Sequence, residues 1–178
     1  RDLSATLDSE MIDAKAELDL DSPIGEWLAC SIGKNARPVC SKRLICGESS
    51  PVHLIDVELG GRSERFVLRL FLNEEWLSEE PDLAEHEAAV LELAAAHDLP
   101  APRLIAYAPN PSACGCPAVL MTFLKGTVVL DSDDRKGWLA EMAGTLARIH
   151  SIPSDSFPWR YFSFTDAESL GVPAWLRR

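Results

Sequence analysis

The sequence lacks three features that would assign a protein class directly: a long apolar run, an excess of basic residues and a regular set of cysteines. No stretch of its 178 residues approaches the ~20 apolar residues of a membrane-spanning helix. No signal peptide is visible either. We therefore expect no membrane partner and a cytoplasmic location.

Basic residues are too few for a general nucleic-acid binder. The chain has 17 lysines and arginines against 28 aspartates and glutamates, a net charge of −11 and a pI near 4.8. Phosphate backbones attract basic surfaces, so a nucleic-acid partner is not expected. A small nucleotide remains compatible, because it needs only a few local cations and backbone donors.

The cysteines form neither a disulfide framework nor a zinc motif. Their number is odd, and the Cys-Gly-Cys pair is too closely spaced for the usual zinc knuckle. We expect reduced thiols rather than disulfides, and no metal site. The five are Cys30, Cys40, Cys46, Cys114 and Cys116.

What the sequence does contain is the pattern of an α+β domain preceded and followed by helices. We predict an N-terminal helical segment over 1–38, a strand-rich domain over 39–125 and a helix with an aromatic tail over 126–178. Short helices are expected at 9–18 and from Pro23 toward Gly33, and 34–38 is expected to be a polar loop. The last helix is expected over 133–151, with a buried face formed by Trp138, Met142, Leu146 and Ile149.

The middle segment predicts five strands and one packed helix. Gly60-Gly61 marks a hairpin turn, and 73–81 reads as an acidic loop. Asp82, with Glu85 three residues later, has the spacing of a capping box for a helix that ends near residue 97. An antiparallel sheet with one helix between its third and fourth strands is an α+β layer. The predicted strands are 42–46, 52–59, 64–72, 103–107 and 118–123.

A basic residue interrupts the apolar third strand. Residues 66, 68, 70 and 72 form one apolar face, and Arg69 shares the other face with Val67 and Phe71. A guanidinium there is desolvated unless a carboxylate meets it, because an unpaired buried charge costs several kcal/mol. The alternative is an arginine that extends from the sheet edge to water.

The following helix offers that carboxylate. Glu87 lies on its predicted apolar stripe, four residues after Leu83. Glu85 is the rival partner if the helix boundary is misplaced, although it is out of phase with the stripe. The remaining stripe positions are Val90, Leu91 and Ala94. An inward ion pair between Arg69 and Glu87 is therefore predicted.

Five short segments in order resemble the aminoglycoside phosphotransferase family, which has a protein-kinase-like fold. They are Val67-Leu68-Arg69-Leu70, His86-Glu87-Ala88-Ala89, Leu99-Pro100-Ala101-Pro102-Arg103-Leu104, Pro117 to Gly126, and Leu146-Ala147-Arg148-Ile149-His150-Ser151. The resemblance covers roughly residues 44–151, and Val172-Pro173-Ala174-Trp175 also fits it. It implies that the sheet and its helix are the small lobe of a kinase-like protein.

The resemblance implies a site for ATP, with GTP left open. Arg69 matches the position that contacts the α- and β-phosphates, and Glu87 the residue that orients it. Gly47, Ser49 and Ser50 match the loop over the phosphates, although a plain turn fits them equally well. Met121 to Leu124, including Phe123, matches the hinge that contacts adenine; an apolar core strand followed by a linker is the simpler reading.

The family's catalytic loop is missing from the sequence. An H-G-D-x-x-x-x-N segment would supply the aspartate base and an Mg²⁺ ligand, but His150 is followed by Ser151 and Ile152. Asp131 to Asp134 reads as a helix cap rather than a metal site. No catalytic or metal residue is predicted in this chain. Both, with the contacts to a small-molecule acceptor, are expected in a further lobe.

The resulting hypothesis is that the chain is the N-terminal part of an ATP-dependent phosphotransferase that acts on a small-molecule hydroxyl. We expect it to be inactive alone. The alternative is a non-catalytic module that binds nucleotide or a protein partner. The sequence leaves the acceptor and the oligomeric state undetermined.

Overall fold

The computed structural model of the protein describes residues 12–13, 17–45, 50–126, 129, 132–153, 155 and 157–159. These residues form a six-stranded antiparallel sheet with strand order β1-β2-β3-β4-β6-β5, and four helices. The elements in chain order are β1 (Ile12–Asp13), α1 (Pro23–Ile32), β2 (Ala36–Leu44), β3 (Val52–Leu59), β4 (Arg62–Leu70), α2 (Glu74–Glu79), α3 (Leu83–Ala96), β5 (Leu104–Ala108), β6 (Ala118–Thr122) and α4 (Arg135–His150).

The architecture confirms the predicted α+β fold, in which a five-stranded antiparallel sheet carries one main packed helix. Each predicted strand is present: β3 has the predicted bounds, the other four have shifted ends, and β1 is an additional edge strand. The predicted hairpin is also present, because Gly60 and Gly61 join β3 to β4 with φ of 58° and 82°. Positive φ at both central turn positions suits the twist of a two-residue hairpin and favours glycine.

Helix α1 covers one face of the sheet. Ile24 and Leu28 of this helix are buried in a cluster with side chains from the centre of the sheet. Leu28 is fully buried, as are the sheet residues beneath it. This α1 face is therefore a closed apolar core. Its buried sheet residues are Ile55, Val57, Leu68, Leu70, Ala108, Ala118 and Leu120.

Helix α3 covers the opposite face. Ala84 and Leu91 of α3 pack against Phe71, Val119 and Met121. Val119 and Met121 alternate along β6 with Ala118 and Leu120, which belong to the other cluster, as the period of two in a strand requires. The α3 face is the one to which Arg69 belongs.

The N-terminal predictions need two corrections. Within the predicted helix 9–18, Ile12 and Asp13 form a strand that pairs with Leu44 and Arg43. The predicted loop 34–38 is also partly strand, because β2 begins at Ala36 and continues its pairing with β3 as far as Leu59. In both places, pairing with a neighbouring strand produced β-structure at residues whose local pattern had not predicted a strand.

The predicted acidic loop 73–81 contains a short helix. The Asn73 side chain accepts a hydrogen bond from the Trp76 amide, so it caps α2. Glu74 and Glu75 then place negative charge in the first turn, where the helix dipole favours it. Strand β4 ends before this loop at Leu70, and Leu72, predicted to belong to its apolar face, is about half exposed.

Helix α3 matches the predicted range, but its predicted capping box does not form. Asp82 precedes the helix, and its carboxylate makes no capping bond to the helix backbone. It accepts hydrogen bonds from His86 and Trp159 instead. The buried stripe also differs from the prediction, because Val90 is 42% exposed while Ala84, Ala88, Leu91 and Ala94 are buried.

Helix α4 forms as predicted, and the Asp134 carboxylate caps it by accepting from the Gly137 amide. The predicted buried face is wrong for three of its four residues, whereas the fourth, Trp138, is half-buried. Met142, Leu146 and Ile149 are 45–52% exposed, because no element among the described residues covers them. None of the described helices is long and apolar enough to cross a membrane.

Candidate functional site

The candidate site is centred on Arg69, near the end of β4. The alternation of the strand sends Leu68 into the α1 core and turns Arg69 to the α3 face, beside Val67 and Phe71. The guanidinium carbon lies 5.2 Å from the centre of the Phe71 ring, within cation–π range. Because the Arg69 side chain keeps 32% exposure, it is partly desolvated and still reachable from solvent.

Glu87 meets Arg69 from α3, as predicted. Arg69 Nη1 donates to Glu87 Oε2 at 2.6 Å, and the Glu87 side chain is 22% exposed. This short charge-assisted bond joins strand and helix across the α3 face. The structure therefore contains the predicted ion pair, with Glu87 rather than Glu85 as the acceptor.

Burial and attraction act in opposite directions on the Glu87 carboxyl. Desolvation raises the pKa of Glu87 above its ordinary value, and the charge and hydrogen bond of Arg69 lower it again without cancelling the rise. The carboxylate is thus held in a position that costs free energy. Such an arrangement suits a residue placed for its charge rather than for stability.

Arg69 retains hydrogen-bonding capacity beyond the ion pair. Its Nε is buried and has no acceptor among the described residues. A guanidinium carries five N–H donors in a planar fork, which matches the geometry of phosphate oxygens. Arg69 therefore has N–H donors beyond the one that is bonded to Glu87.

A second charged group lies further along the same face, and the sequence analysis missed it. Asp56 of β3 accepts from Arg65 Nε at 3.1 Å and lies 3.8 Å from Lys42 Nζ. Arg65 lies four residues before Arg69, on the same face of β4. Its guanidinium carbon lies 5.9 Å from the centre of the Phe123 ring. Alternation along β4 places Arg65 on the face of Arg69, but its pairing with Asp56 depends on the register between β3 and β4.

The predicted hinge residues lie at the end of β6, the strand that pairs with β4 beside Arg69. Met121 of β6 pairs with Val67 of β4 and is 8% exposed, in the cluster beneath α3. Strand β6 ends at Thr122, whose hydroxyl accepts from the Arg103 amide, and Phe123 begins the irregular segment after it. Met121 and Phe123 therefore flank the end of a central strand on the side of the Arg69 face.

The predicted phosphate loop is described only at its end. Gly47 and Ser49 lie outside the described residues, whereas Ser50 is 4% exposed. Ser50 precedes β3, whose first residue, Val52, pairs with Arg69. The register thus brings the end of this loop close to Arg69 along the sheet.

An aromatic and polar cluster holds the start of α3, and the sequence analysis did not foresee it. Asp82 Oδ2 accepts from Trp159 Nε1 at 3.1 Å and lies 3.0 Å from His86 Nε2. The His86 and Trp159 rings meet edge to face at 4.6 Å, and Phe157 packs on Trp159. The Trp159 bond, followed by the contact with His86, lowers the pKa of Asp82 below its ordinary value.

This cluster is adjacent to the candidate site in the chain. His86 directly precedes Glu87 on α3, so residues 157–159 dock on the turn that carries the Glu87 carboxylate. The separation of 77 residues between Asp82 and Trp159 explains why no local motif showed it. The excess of aromatics in the tail was the available signal.

A serine–histidine contact on the other face is structural. Ser41 Oγ lies 3.2 Å from His53 Nδ1 and accepts from the Leu18 amide, and both side chains are buried. Burial, followed by the charge of Arg43, lowers the pKa of His53. No carboxylate bonds to His53 among the described residues, and the contact joins β2, β3 and the segment before α1.

No cluster of three or more His, Cys, Asp or Glu side chains suits a metal ion in the part of the chain that the structure describes. An Mg²⁺ ion would need several oxygen ligands. The residues that could hold Mg²⁺ are therefore not found in this set. The geometry instead brings the partly exposed guanidinium of Arg69 and an apolar strand end together on one face of the sheet.

Comparison with known proteins bears on the family and the fold. Residues 49–178 match the model of the phosphotransferase enzyme family, which is most of the chain. The chain belongs to the phosphotransferase enzyme family. No curated protein sequence matches it.

A solved structure shows the same fold. The crystal structure of a candidate aminoglycoside phosphotransferase from Ralstonia eutropha JMP134 superimposes with a TM-score of 0.58 at 19% sequence identity. The match covers 85% of this chain and 42% of that protein. The phosphotransferase-family chain described here thus spans less than half the length of this structural neighbour.

Proposed function

We propose that this chain forms the nucleotide-binding part of an ATP-dependent phosphotransferase whose acceptor is a hydroxyl group of a small molecule. The observation that carries the proposal is the Arg69–Glu87 ion pair, 2.6 Å long, on the α3 face. Protein kinases position nucleotide phosphates with a strand lysine held by a helix glutamate, and Arg69 with Glu87 places the same two charges on a strand and a helix.

In this proposal each part of the site has one task. Arg69 binds the α- and β-phosphates, and Glu87 fixes the guanidinium so that its fork faces them. Ser50, with Gly47 and Ser49, contributes donors from the loop above the phosphates. ATP is the proposed nucleotide; GTP is the competitor to test.

The adenine ring is proposed to lie against the end of β6. Met121 closes the rear of this space, and Phe123 contacts the ring from the segment that follows the strand. Backbone groups of such a segment read the base edge, while apolar side chains pack on its faces. Phe123 is half-buried and already lies near Arg65, so it is available for such a contact.

The catalytic step itself is proposed to depend on residues outside this sequence. The 178 residues contain no H-G-D-x-x-x-x-N segment, and Mg²⁺, which would bridge and neutralise the phosphates, finds no ligand set among the described residues. Aminoglycoside-like compounds and other small alcohols are the proposed acceptor classes. Their contacts are assigned to a further lobe.

The test of nucleotide binding is a calorimetric titration of the 178-residue protein with Mg-ATP. Arg69→Ala is expected to weaken binding at least about tenfold, which corresponds to ~1.4 kcal/mol. The matched control is Arg37→Ala. Arg37 is also a strand arginine in a 2.6 Å ion pair, with Glu58, but its side chain is 67% exposed and lies at the other end of β2 and β3.

The control decides the meaning of the result. A loss with Arg69→Ala but not with Arg37→Ala supports the phosphate clamp. Equal affinity in the two variants, or no saturable binding of Mg-ATP by the wild type, contradicts it. Competition with Mg-GTP in the same titration then reports the base preference.

Catalysis is tested separately. We expect no transfer of the γ-phosphoryl group from ATP to an aminoglycoside by the 178-residue protein above a heat-denatured control. Measurable transfer would contradict the assignment of the base to a further lobe. It would leave the nucleotide site intact as a proposal.

A second candidate function, a non-catalytic protein-interaction module, is favoured by one observation. The apolar face of α4 is uncovered among the described residues, with exposures of 45–53%. It also borders a cavity of about 430 Å³ between α3 and α4. Concentration-dependent self-association without any effect of Mg-ATP would favour this function, and ATP binding by a monomer would exclude it. The face consists of Leu139, Met142, Leu146 and Ile149.

A further inference from the structure

The loop between β5 and β6 places two cysteine side chains side by side. Cys114 and Cys116 flank Gly115, which has φ of 92° and donates its amide to Pro111 O at 2.8 Å. The positive φ lets the chain turn sharply between the two cysteines. Both side chains then face the α1 core, where Cys114 is 6% exposed and Cys116 packs against the cluster.

The Cys114 thiol contacts the backbone of Cys116, because Cys114 Sγ donates to the Cys116 carbonyl oxygen at 3.2 Å. When Cys114 loses its proton, a hydrogen bond from the neighbouring Cys116 thiol stabilises the thiolate and lowers the pKa of Cys114 to about 7. Cys116 keeps the proton, so the pKa of Cys116 is raised. The pair thus titrates as a unit in which one thiolate is stabilised by its neighbour.

We propose that Cys114 and Cys116 form a redox-active dithiol, which closes to an intramolecular disulfide when it meets a low-molecular-weight disulfide such as oxidised glutathione. The thiolate of the pair attacks one sulfur of the oxidant and releases one small thiolate. The second protein sulfur then attacks the mixed disulfide and releases the other. Overall, two protein thiols and one small disulfide give one protein disulfide and two small thiols.

The geometry favours a reversible bond over a permanent one. A disulfide has narrow preferences for its dihedral angle and for the separation of its Cα atoms, and a loop with one intervening residue leaves the chain little freedom to satisfy both. The small loop also removes little entropy from the unfolded chain. Such disulfides are the readily reduced ones.

The location separates this site from the proposed nucleotide site. Cys114 lies on the α1 face, whereas Arg69 lies on the α3 face. Closing the disulfide is expected to change the packing of the β5–β6 loop against the α1 core. Failure of either proposal therefore leaves the other standing.

The sequence allows a direct test. Trypsin releases residues 104–125 as one peptide that contains Cys114 and Cys116 and no other cysteine, and Cys30 and Cys40 fall in separate peptides. The folded protein is equilibrated with mixtures of reduced and oxidised glutathione and quenched with iodoacetamide. It is then digested with trypsin, and the peptide masses are measured by mass spectrometry. We expect the 104–125 peptide to lose two hydrogens and escape alkylation, while the Cys30 and Cys40 peptides stay alkylated.

Two comparisons make the result decisive. In urea at the same glutathione ratios, the 104–125 disulfide is expected to form less readily, because the turn that aligns the thiols is lost. Cys116→Ser is expected to convert the internal disulfide into a mixed disulfide at Cys114, and Cys40→Ser to change nothing. Full alkylation of Cys114 and Cys116 at every ratio, or equal oxidation in the folded and unfolded protein, overturns the proposal.

Discussion

The two faces of the sheet differ in what they bury, and neighbouring residues of β4 show the difference. Leu68 is fully buried in the apolar α1 core. Arg69, the next residue, lies on the α3 face with 32% of its side chain exposed and its charge joined to Glu87. The α1 face is closed, whereas the α3 face keeps charged groups within reach of solvent.

Within one strand, this difference separates residues that stabilise the fold from a residue that is proposed to bind nucleotide. Burying a leucine contributes about 1.5–3 kcal/mol. A half-buried ion pair contributes little net free energy, because desolvation offsets most of the Coulomb attraction. The α1 face therefore contributes free energy of folding, whereas the ion pair on the α3 face contributes little. This is expected if the charge of Arg69 is needed for binding.

The largest expected effect tests the α1 face. Leu68→Ala is expected to lower the free energy of unfolding by about 2–5 kcal/mol, because it removes a fully buried side chain from beneath α1. Chemical denaturation followed by circular dichroism measures this. The affinity of the folded fraction for Mg-ATP is expected to remain unchanged, because Leu68 faces away from Arg69.

A volume-conserving variant is the control for this prediction. Leu68→Met is expected to cost less than about 1.5 kcal/mol, since it refills the space. If Leu68→Met lost nucleotide binding while remaining folded, the two faces would not be independent.

The second prediction concerns the ion pair. In a double-mutant cycle, Arg69→Met and Glu87→Leu are each expected to destabilise more than the double variant does, because each single change leaves a half-buried charge unpaired. The expected coupling is on the order of 1–2 kcal/mol. The exposed Arg37–Glu58 pair, with the same 2.6 Å distance, is the control, with an expected coupling of roughly 0–1 kcal/mol. Equal couplings would remove the distinction between the pairs.

The sequence predicted the fold well where local pattern and tertiary structure agree. The five strands, the Gly60-Gly61 hairpin and the ranges of α3 and α4 followed from alternation, turn residues and helical periodicity. The predictions failed where a partner in space decided the structure. Pairing with β2 made Ile12 and Asp13 a strand. The Asp82 carboxylate bonds to His86 and to the distant Trp159 and makes no capping bond.

The site divides in the same way. Arg69 and Glu87 could be predicted, because one stands out in an apolar strand and the other lies in phase with a helical stripe. The Asp56–Arg65 pair and the docking of Trp159 could not be predicted. The former depends on strand register and the latter on a contact between residues 77 positions apart.

The third prediction asks whether the docked tail holds the helix that carries Glu87. Trp159→Phe keeps an aromatic ring against His86 but removes the donor to Asp82. We expect faster amide hydrogen exchange at the start of α3 and a fall in Tm of no more than a few degrees. Trp76→Phe, at an indole that is 41% exposed on α2, is the control and should leave α3 exchange unchanged. Unchanged exchange in Trp159→Phe would contradict the docking role.

The smallest expected effect concerns the pH dependence of the α3 face. Because burial raises the pKa of Glu87 above 4.5, the folded protein binds this proton more tightly than the unfolded chain does. The stability contribution of Glu87 is therefore full below pH 4.5 and is lost as the pH rises through its folded-state pKa. Urea unfolding should show wild type losing stability relative to Glu87→Gln over this window.

Removing Arg69 should enlarge that loss. In an Arg69→Met background the attraction that opposes burial is gone, so the pKa of Glu87 should rise further and the fall in stability should extend to higher pH. The Glu87→Gln comparison within this background isolates the carboxyl, since glutamine does not titrate. If wild type instead gained stability over Glu87→Gln as the pH rose, attraction to Arg69 would outweigh burial. The ion pair would then stabilise the fold, and the α3 face would resemble the α1 face more than the structure suggests.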